Sequence, residues 1–335
     1  MQFDRIYTTI ESHAAGEPLR IVTGGVPPIK GATILERRRW AQQHLDHVRR
    51  ALMHEPRGHA DMYGCYVTPP VTSEADLGVI FMHNEGYSTM CGHGVIALAA
   101  VAVSTGMVPP VIPETRVGMD TPAGFVEAFV EWDGQKAGQT RFRNVPSFLY
   151  RRDLTIETPS FGTLTVDVAF GGAFYAYLEA AQAVLAVQPS DYRPLIQLGD
   201  EVKHAVEAAL DVVHPLEPEL HGIYGTIIDG PPSQPGADQA NVCIFADREV
   251  DRSPTGTGTA GRVAQLYARG QLKVGQAFVN ESIIGTRFTG RVLEETTVGD
   301  LPAVIPEISG QGYITGFAQW LADSHDPVAE GFFLR

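Results

Sequence analysis

Two apolar segments with helical spacing constrain this chain more than any other feature, because each begins at a glycine pair directly after a candidate reactive side chain. The first reads MCGHGVIALAAVAVSTG and predicts a helix from Gly92 to Thr105; the second reads SPTGTGTAGRVAQLYARG and predicts one from Gly256 to Arg269. Both are small or apolar on most faces, so each should lie buried within a sheet. Both stop at a glycine suited to the left-handed residue that closes a helix, Gly106 and Gly270. Their leading residues, Cys91 and Thr255, stand close to half of the 335-residue chain apart. This reads as a weak internal duplication with one such unit per lobe.

The remaining segments supply the sheets. Glycine and proline, 35 and 23 residues, cut the chain into short runs rich in Val, Ile and Phe: Leu77 to Met82, Gly124 to Trp132, Thr163 to Phe170, Ile223 to Asp229 and Asn241 to Ala246. Bounded by turn residues, these read as strands. Ala32 to His54 and Asp191 to Leu210 have helical spacing with a charged outer face, and each ends before a proline, Pro56 and Pro215. The fold class is therefore a β-rich α/β (α+β) protein. Its length accommodates two lobes, expected at residues 1–145, completed by 316–335, and at residues 146–315.

Charge excludes some partners. With 25 basic and 39 acidic residues the formal net charge is −14, which repels nucleic acid and anionic membrane surfaces. No run approaches the roughly 20 apolar residues of a membrane span. Cys65, Cys91 and Cys243 are too few and too widely spaced for a disulfide framework, so a reducing, cytoplasmic setting is expected.

A side chain at a helix N-terminus meets the positive end of the helix dipole and amides with no carbonyl partner in the helix. A thiol there is biased toward thiolate, which makes Cys91 a candidate nucleophile or proton-abstracting base. A lone cysteine is more often a core residue; the matching second helix argues for chemistry. If two helix N-termini point at one ligand, their amides form an anion clamp suited to an amino-acid carboxylate. That clamp would also stabilise the enolate-like charge created when Hα is removed, with no metal or other cofactor needed. Asp251, in the loop before Thr255, could hold the substrate nitrogen, although a loop aspartate is equally a turn or cap residue.

Two decoys fall away. Gly256 to Gly261 spells GTGTAG, a formal dinucleotide fingerprint. Eight residues, Asp247 to Pro254, stand where a tight strand-to-helix turn is required, and the next acid is Glu281, past a second glycine turn. His44 and His47 lie one helical turn apart among arginines, the pattern of a solvated face rather than a metal site.

Eight ordered strings, GGVPPIKGAT (24–33), EPRGHADMYG (55–64), MCGHG (90–94), DTPAG (120–124), FRNVPSF (142–148), FGG (170–172), VDRSPTGTGT (250–259) and ESIIGT (281–286), resemble the proline racemase family over nearly the whole chain. The resemblance implies a diaminopimelate epimerase-like fold, with two pseudo-symmetric lobes, each a sheet or barrel wrapped around a central helix, and the substrate between them. It implies chemistry independent of pyridoxal phosphate and, since the family is often dimeric, a homodimer. By motif it places the catalytic cysteine at Cys91 and the carboxylate among the backbone groups of Gly92, His93, Gly256 and Thr257. Asp251 matches the contact to substrate nitrogen. Tyr63 and Phe245 fall where aromatic side chains line the ring pocket, though core aromatics would read the same way. His59 and Asp61 are expected near the cleft, without an assigned step.

Thr255 departs from the pattern of the family's racemases and many of its 4-hydroxyproline epimerases, which carry a second cysteine there. Inversion at Cα needs a base on one face and an acid on the other, and a threonine hydroxyl is neither near neutral pH. The Cys/Thr combination resembles the family's trans-3-hydroxy-L-proline dehydratases. Stereochemistry agrees: in that substrate the hydroxyl and Hα share one ring face, so one catalytic face suffices for a syn elimination giving 1-pyrroline-2-carboxylate. The thiol formed at Cys91, His93 or a water could protonate the departing hydroxyl. The expectation is a hydro-lyase acting on a hydroxyproline. A 4-hydroxyproline epimerase or proline racemase, and a non-catalytic binder of proline-like ligands, stand as the rivals.

Overall fold

The computed structural model describes residues 4–334. Its α-helices are α1 (Ile34–His44), α2 (Asp46–Met53), α3 (Gly92–Ser104), α4 (Tyr192–Ala209) and α5 (Gly256–Ala268). The chain divides into two units. The first takes the chain up to Met90, Gly94–Thr140 and everything from Gln311; the second takes Cys91–His93 and Arg141–Gly310.

In the first unit the N-terminal strand Arg5–Ala14 pairs antiparallel with Glu17–Gly24 on one side and with the late strand Gly312–Ala322 on the other. The hairpin loop is only Ala15 and Gly16, both at positive φ, as two-residue turns matched to sheet twist require. Glu17–Gly24 runs parallel to Tyr63–Thr68, which pairs antiparallel with Leu77–His83. Leu77–His83 in turn meets Glu114–Thr121 in parallel, and that strand pairs with Gly124–Trp132. Every residue from Cys91 to Val103 is buried, as the all-round apolar sequence of α3 requires. The sheet approaches α3 so closely that a Cβ on Gly312 would lie 2.9 Å from the Cα of Ala97. The amphipathic pair α1 and α2 lays Ala41, Leu45, Val48, Leu52 and Met53 against Tyr66, Ile80 and Met82. The single helix expected over Ala32–His54 is broken at Leu45, and Thr33 starts α1 with a reciprocal capping box to Glu36.

The second unit repeats the plan. Phe148–Thr158, Gly162–Phe170 and Phe174–Glu179 form an antiparallel meander. Gly225–Gly230 joins it in parallel, followed by Gln239–Phe245, which also meets Glu249–Asp251 and Ala277–Ser282. The sheet continues through Arg287–Val298 and Leu301–Gly310. Amides of Asn144 and Ser147 reach the carbonyls of Pro306 and Val304, so the last strand returns to the segment before the first. Helix α5 packs Val263 and Ala264 against Phe278, Val292 and Val304, each buried valine or phenylalanine contributing roughly 1.5–3 kcal/mol. Helix α4 covers the outside, with the backbone of Gly199 pressed on Ile244. Both units are thus sheets built around one apolar helix, in the expected α/β class.

The division differs in detail from the one read in the sequence. It falls at Thr140/Arg141 and Gly310/Gln311 rather than at residues 145/146 and 315/316, and Cys91–His93 group with the second unit rather than the N-terminal lobe. The reason is local: Gly92 lies against Gly256.

Candidate active site

Helix α5 begins directly after Thr255, and α3 directly after Cys91. A Cβ placed on Gly92 would sit 2.4 Å from the Cα of Gly256, and one placed on Gly256 would sit 2.5 Å from the Cα of Gly92. No side chain fits either position, so the glycines are required by close approach of backbone to backbone. The structure brings Gly92, His93, Gly256 and Thr257 together in this way, the set expected around a carboxylate. The first hydrogen bond within α5 runs from the Thr259 amide to the Thr255 carbonyl. The amides of Gly256, Thr257 and Gly258 therefore precede the helical ladder and point outward at its positive end.

Cys91 is 4% exposed, and its Sγ lies 3.1 Å from Nδ1 of His93, itself 3% exposed. A thiol and an imidazole at this distance share one proton, either as thiol with neutral ring or as thiolate with imidazolium. The two side chains are thus within hydrogen-bond reach of each other.

Thr255 has φ 58° and ψ 99°, a left-handed backbone that a β-branched residue rarely takes. Its amide donates to Ser253 Oγ at 3.1 Å, while its own hydroxyl is buried and makes no hydrogen bond among the described residues. A buried hydroxyl with no partner carries a desolvation cost of about 1–3 kcal/mol, and a ligand group could relieve it. Asp251 is also buried, and its Oδ1 accepts from the Ser253 amide at 2.7 Å. It ends a three-residue strand, Glu249–Asp251, paired opposite Cys243; the plain loop expected there is instead a short hairpin.

Beneath α5 the motifs lock together. A Cβ on Gly171 would meet the Thr257 carbonyl at 2.2 Å, and the Gly171 carbonyl accepts from Asn144 Nδ2 at 2.8 Å. The hydroxyl of Tyr175 lies 2.7 Å from that of Thr257, and Tyr177 donates to the Gly258 carbonyl at 2.9 Å. Burial raises both tyrosines well above their ordinary range, so they act here as neutral hydroxyls.

The two aromatic residues sit in separate units. Phe245 belongs to the second, buried and stacked on Tyr224 at 5.4 Å between ring centroids. Tyr63 belongs to the first, where its hydroxyl is 2.5 Å from Ser88 Oγ and its ring stacks on His83. His59 and Asp61 are also in the first unit: His59 Nδ1 lies 2.6 Å from the Ala60 carbonyl, and Asp61 takes φ 63°. His44 and His47 make separate contacts, with the Trp40 carbonyl and with Arg5. Ser253, Asn241, Asn280 and Tyr175 surround the start of α5 without having stood out in the sequence. An asparagine inside a strand as apolar as Gln239–Phe245 was the one signal available, since strands are depleted in asparagine.

The sequence model of the proline racemase family matches residues 9–333. A protein of Burkholderia cenocepacia named trans-3-hydroxy-L-proline dehydratase is 59% identical over all 335 residues, covering 100% of both chains. One of Burkholderia multivorans named 3-hydroxyproline 2-epimerase is 58% identical with the same coverage. Among solved structures, a hydroxyproline epimerase from Agrobacterium vitis with bound trans-4-hydroxy-L-proline matches with a TM-score of 0.92 at 32% identity, over 100% of this chain and 97% of that one.

Proposed function

The chain belongs to the proline racemase family, and from that premise we propose that it is a hydro-lyase that dehydrates trans-3-hydroxy-L-proline to 1-pyrroline-2-carboxylate. The observation that carries the reading is the inert hydroxyl of Thr255 at the head of α5, set against a Cys91–His93 acid–base pair at the head of α3.

The substrate carboxylate is held by the amides of Gly92, His93, Gly256 and Thr257, and the ring nitrogen by the Asp251 carboxylate. Cys91, as thiolate, takes Hα; the Cα–H bond breaks and its electron pair is delocalised toward the carboxylate, where the amides stabilise the charge as it develops. The electrons then form the Cα–Cβ double bond as the C3–O bond breaks. The hydroxyl leaves as water after taking a proton from the Cys91 thiol, from His93 or from a water on the same ring face. The enamine tautomerises to the cyclic imine in solution. In this reading Thr255 touches substrate without moving a proton.

Incubation with trans-3-hydroxy-L-proline and trapping with o-aminobenzaldehyde tests the reaction. The imine adduct is expected from the parent, with a loss of at least about a thousandfold in Cys91→Ser; an intact rate in that variant would remove the cysteine from the chemistry. A second reading, epimerisation at C2, is favoured by the similarity to the Burkholderia multivorans protein. Chiral chromatography of the same reaction separates the two, because an epimerase returns a 3-hydroxyproline of inverted C2 configuration and no imine.

A further inference from the structure

The peptide plane before Thr255 is pinned by buried side chains, and the one after it by a backbone amide. The Pro254 carbonyl accepts from Asn241 Nδ2 at 3.0 Å, Asn280 Nδ2 at 3.3 Å and Thr259 Oγ1 at 2.9 Å. Asn280 Nδ2 also donates to Thr259 Oγ1 at 2.9 Å, tying two of the three donors to each other. On the other side of that peptide the Thr255 amide is held by Ser253 Oγ, and the next carbonyl by the Thr259 amide. Asn241 and Asn280 are 0% and 1% exposed. A backbone conformation that is costly for threonine persists only where its surroundings over-determine it, and three donors on one carbonyl do so here.

We propose that Asn241 and Asn280 are positioning residues for the reaction: by gripping the Pro254 carbonyl they hold Thr255 in its left-handed conformation, its hydroxyl presented to substrate and the Gly256 and Thr257 amides aimed at the carboxylate. The two asparagines come from neighbouring strands, Gln239–Phe245 and Ala277–Ser282, paired in parallel with Gln239 opposite Asn280. Neither touches substrate; they act through the Pro254–Thr255 peptide. The inference rests on Thr255 and the α5 amides serving the reaction proposed above.

A double-mutant cycle with Thr255→Gly tests it, because glycine takes a φ of 58° unaided. In the parent background Asn280→Ala is expected to lower kcat about tenfold or more while KM moves less than about threefold, since the aimed amides act on charge that appears in the transition state. Asn241→Ala, which removes a different donor from the same carbonyl, should behave alike. In the Thr255→Gly background the loss from Asn280→Ala should shrink to about twofold or less. Equal losses in both backgrounds, or a loss lying wholly in KM, would overturn the proposal and leave the asparagines a packing role. The same cycle read by thermal unfolding decides the matter if Thr255→Gly turns over too slowly: a smaller drop from Asn280→Ala beside glycine supports the grip, and additive drops refute it. A parent that yields no imine sinks the dehydratase reading instead, and the thermal cycle still judges the asparagines.

Discussion

Under the proposed reading, Thr255 is where a change of one side chain bears most directly on the kind of reaction performed. Cysteine at this position would supply an ionisable group where threonine has none, and the positive end of α5 would favour its thiolate. Thr255→Cys is therefore expected to introduce exchange of the Cα hydrogen of proline from the face opposite Cys91. Incubating each enantiomer of proline in heavy water, with mass spectrometry as readout, should show deuterium uptake by the variant above the parent. No uptake would count against Thr255 facing the substrate. Cys91, Thr255 and Asp251 were legible in the sequence as candidates because each sits in a short string of glycines and polar residues that strand or helix formation alone does not call for. Asn241, Asn280 and Ser253 were not, because their roles consist of hydrogen bonds between strands that only the folded chain brings together. Tyr175 is another such case: nothing in a run of aromatic strand residues says that one hydroxyl will meet Thr257.

Helix α5 shows two different needs for glycine at its two ends. Gly270 lies just past the helix with φ 71°, its amide bonded to the Tyr267 carbonyl and the Gln271 amide to that of Leu266, a left-handed closure. A Cβ there meets nothing within 4 Å, so Gly270→Ala should cost only the left-handed backbone, about 1 kcal/mol, and leave turnover unchanged. Gly256→Ala places its methyl against the backbone of Gly92 and should cost about 1–3 kcal/mol together with most of the activity. Thermal melts and imine formation measured on the two variants check the contrast; similar activities would mean that the Gly92–Gly256 approach is dispensable. The helix ends and both buried helices were readable because glycine and all-round apolarity leave few alternatives. The long strands Arg287–Val298 and Gly312–Ala322 were not: the outward face of the second carries Tyr313, Phe317 and Leu321 beside Thr315 and Gln319, which hides its alternation in the sequence, and the alternation of the first is interrupted around Glu294 and Glu295. One such interruption is a register shift between Val292 and Glu294.

At the scale of the whole molecule, burial of charge inside the second unit makes stability depend on pH. Helix α5 and the residue that caps its C-terminus carry Arg262, Gln265 and Arg269 among sheet residues: Arg269 pairs with Asp167 at 2.7 Å, and Arg262 lies 3.2 Å from Asp229. Asp229 is 3% exposed. Burial raises its carboxyl from 3.8 to about 6, with Arg262 only partly offsetting the desolvation. Between those values the folded chain binds a proton at Asp229 that the unfolded chain has released, so this group's contribution to stability falls as pH rises through the window. A shift of roughly two pH units corresponds to about 3 kcal/mol, an upper figure for a group beside an arginine. Asp229→Asn is close to the protonated acid in shape and cannot titrate. Its stability relative to the parent should therefore be nearly level below pH 4 and rise progressively toward pH 6.5, where the parent must hold a buried carboxylate. Chemical denaturation of both proteins across that range measures the difference directly. Parallel profiles would mean that Arg262 fully compensates the buried carboxylate, and that the charges within the second unit are balanced at every pH in the window.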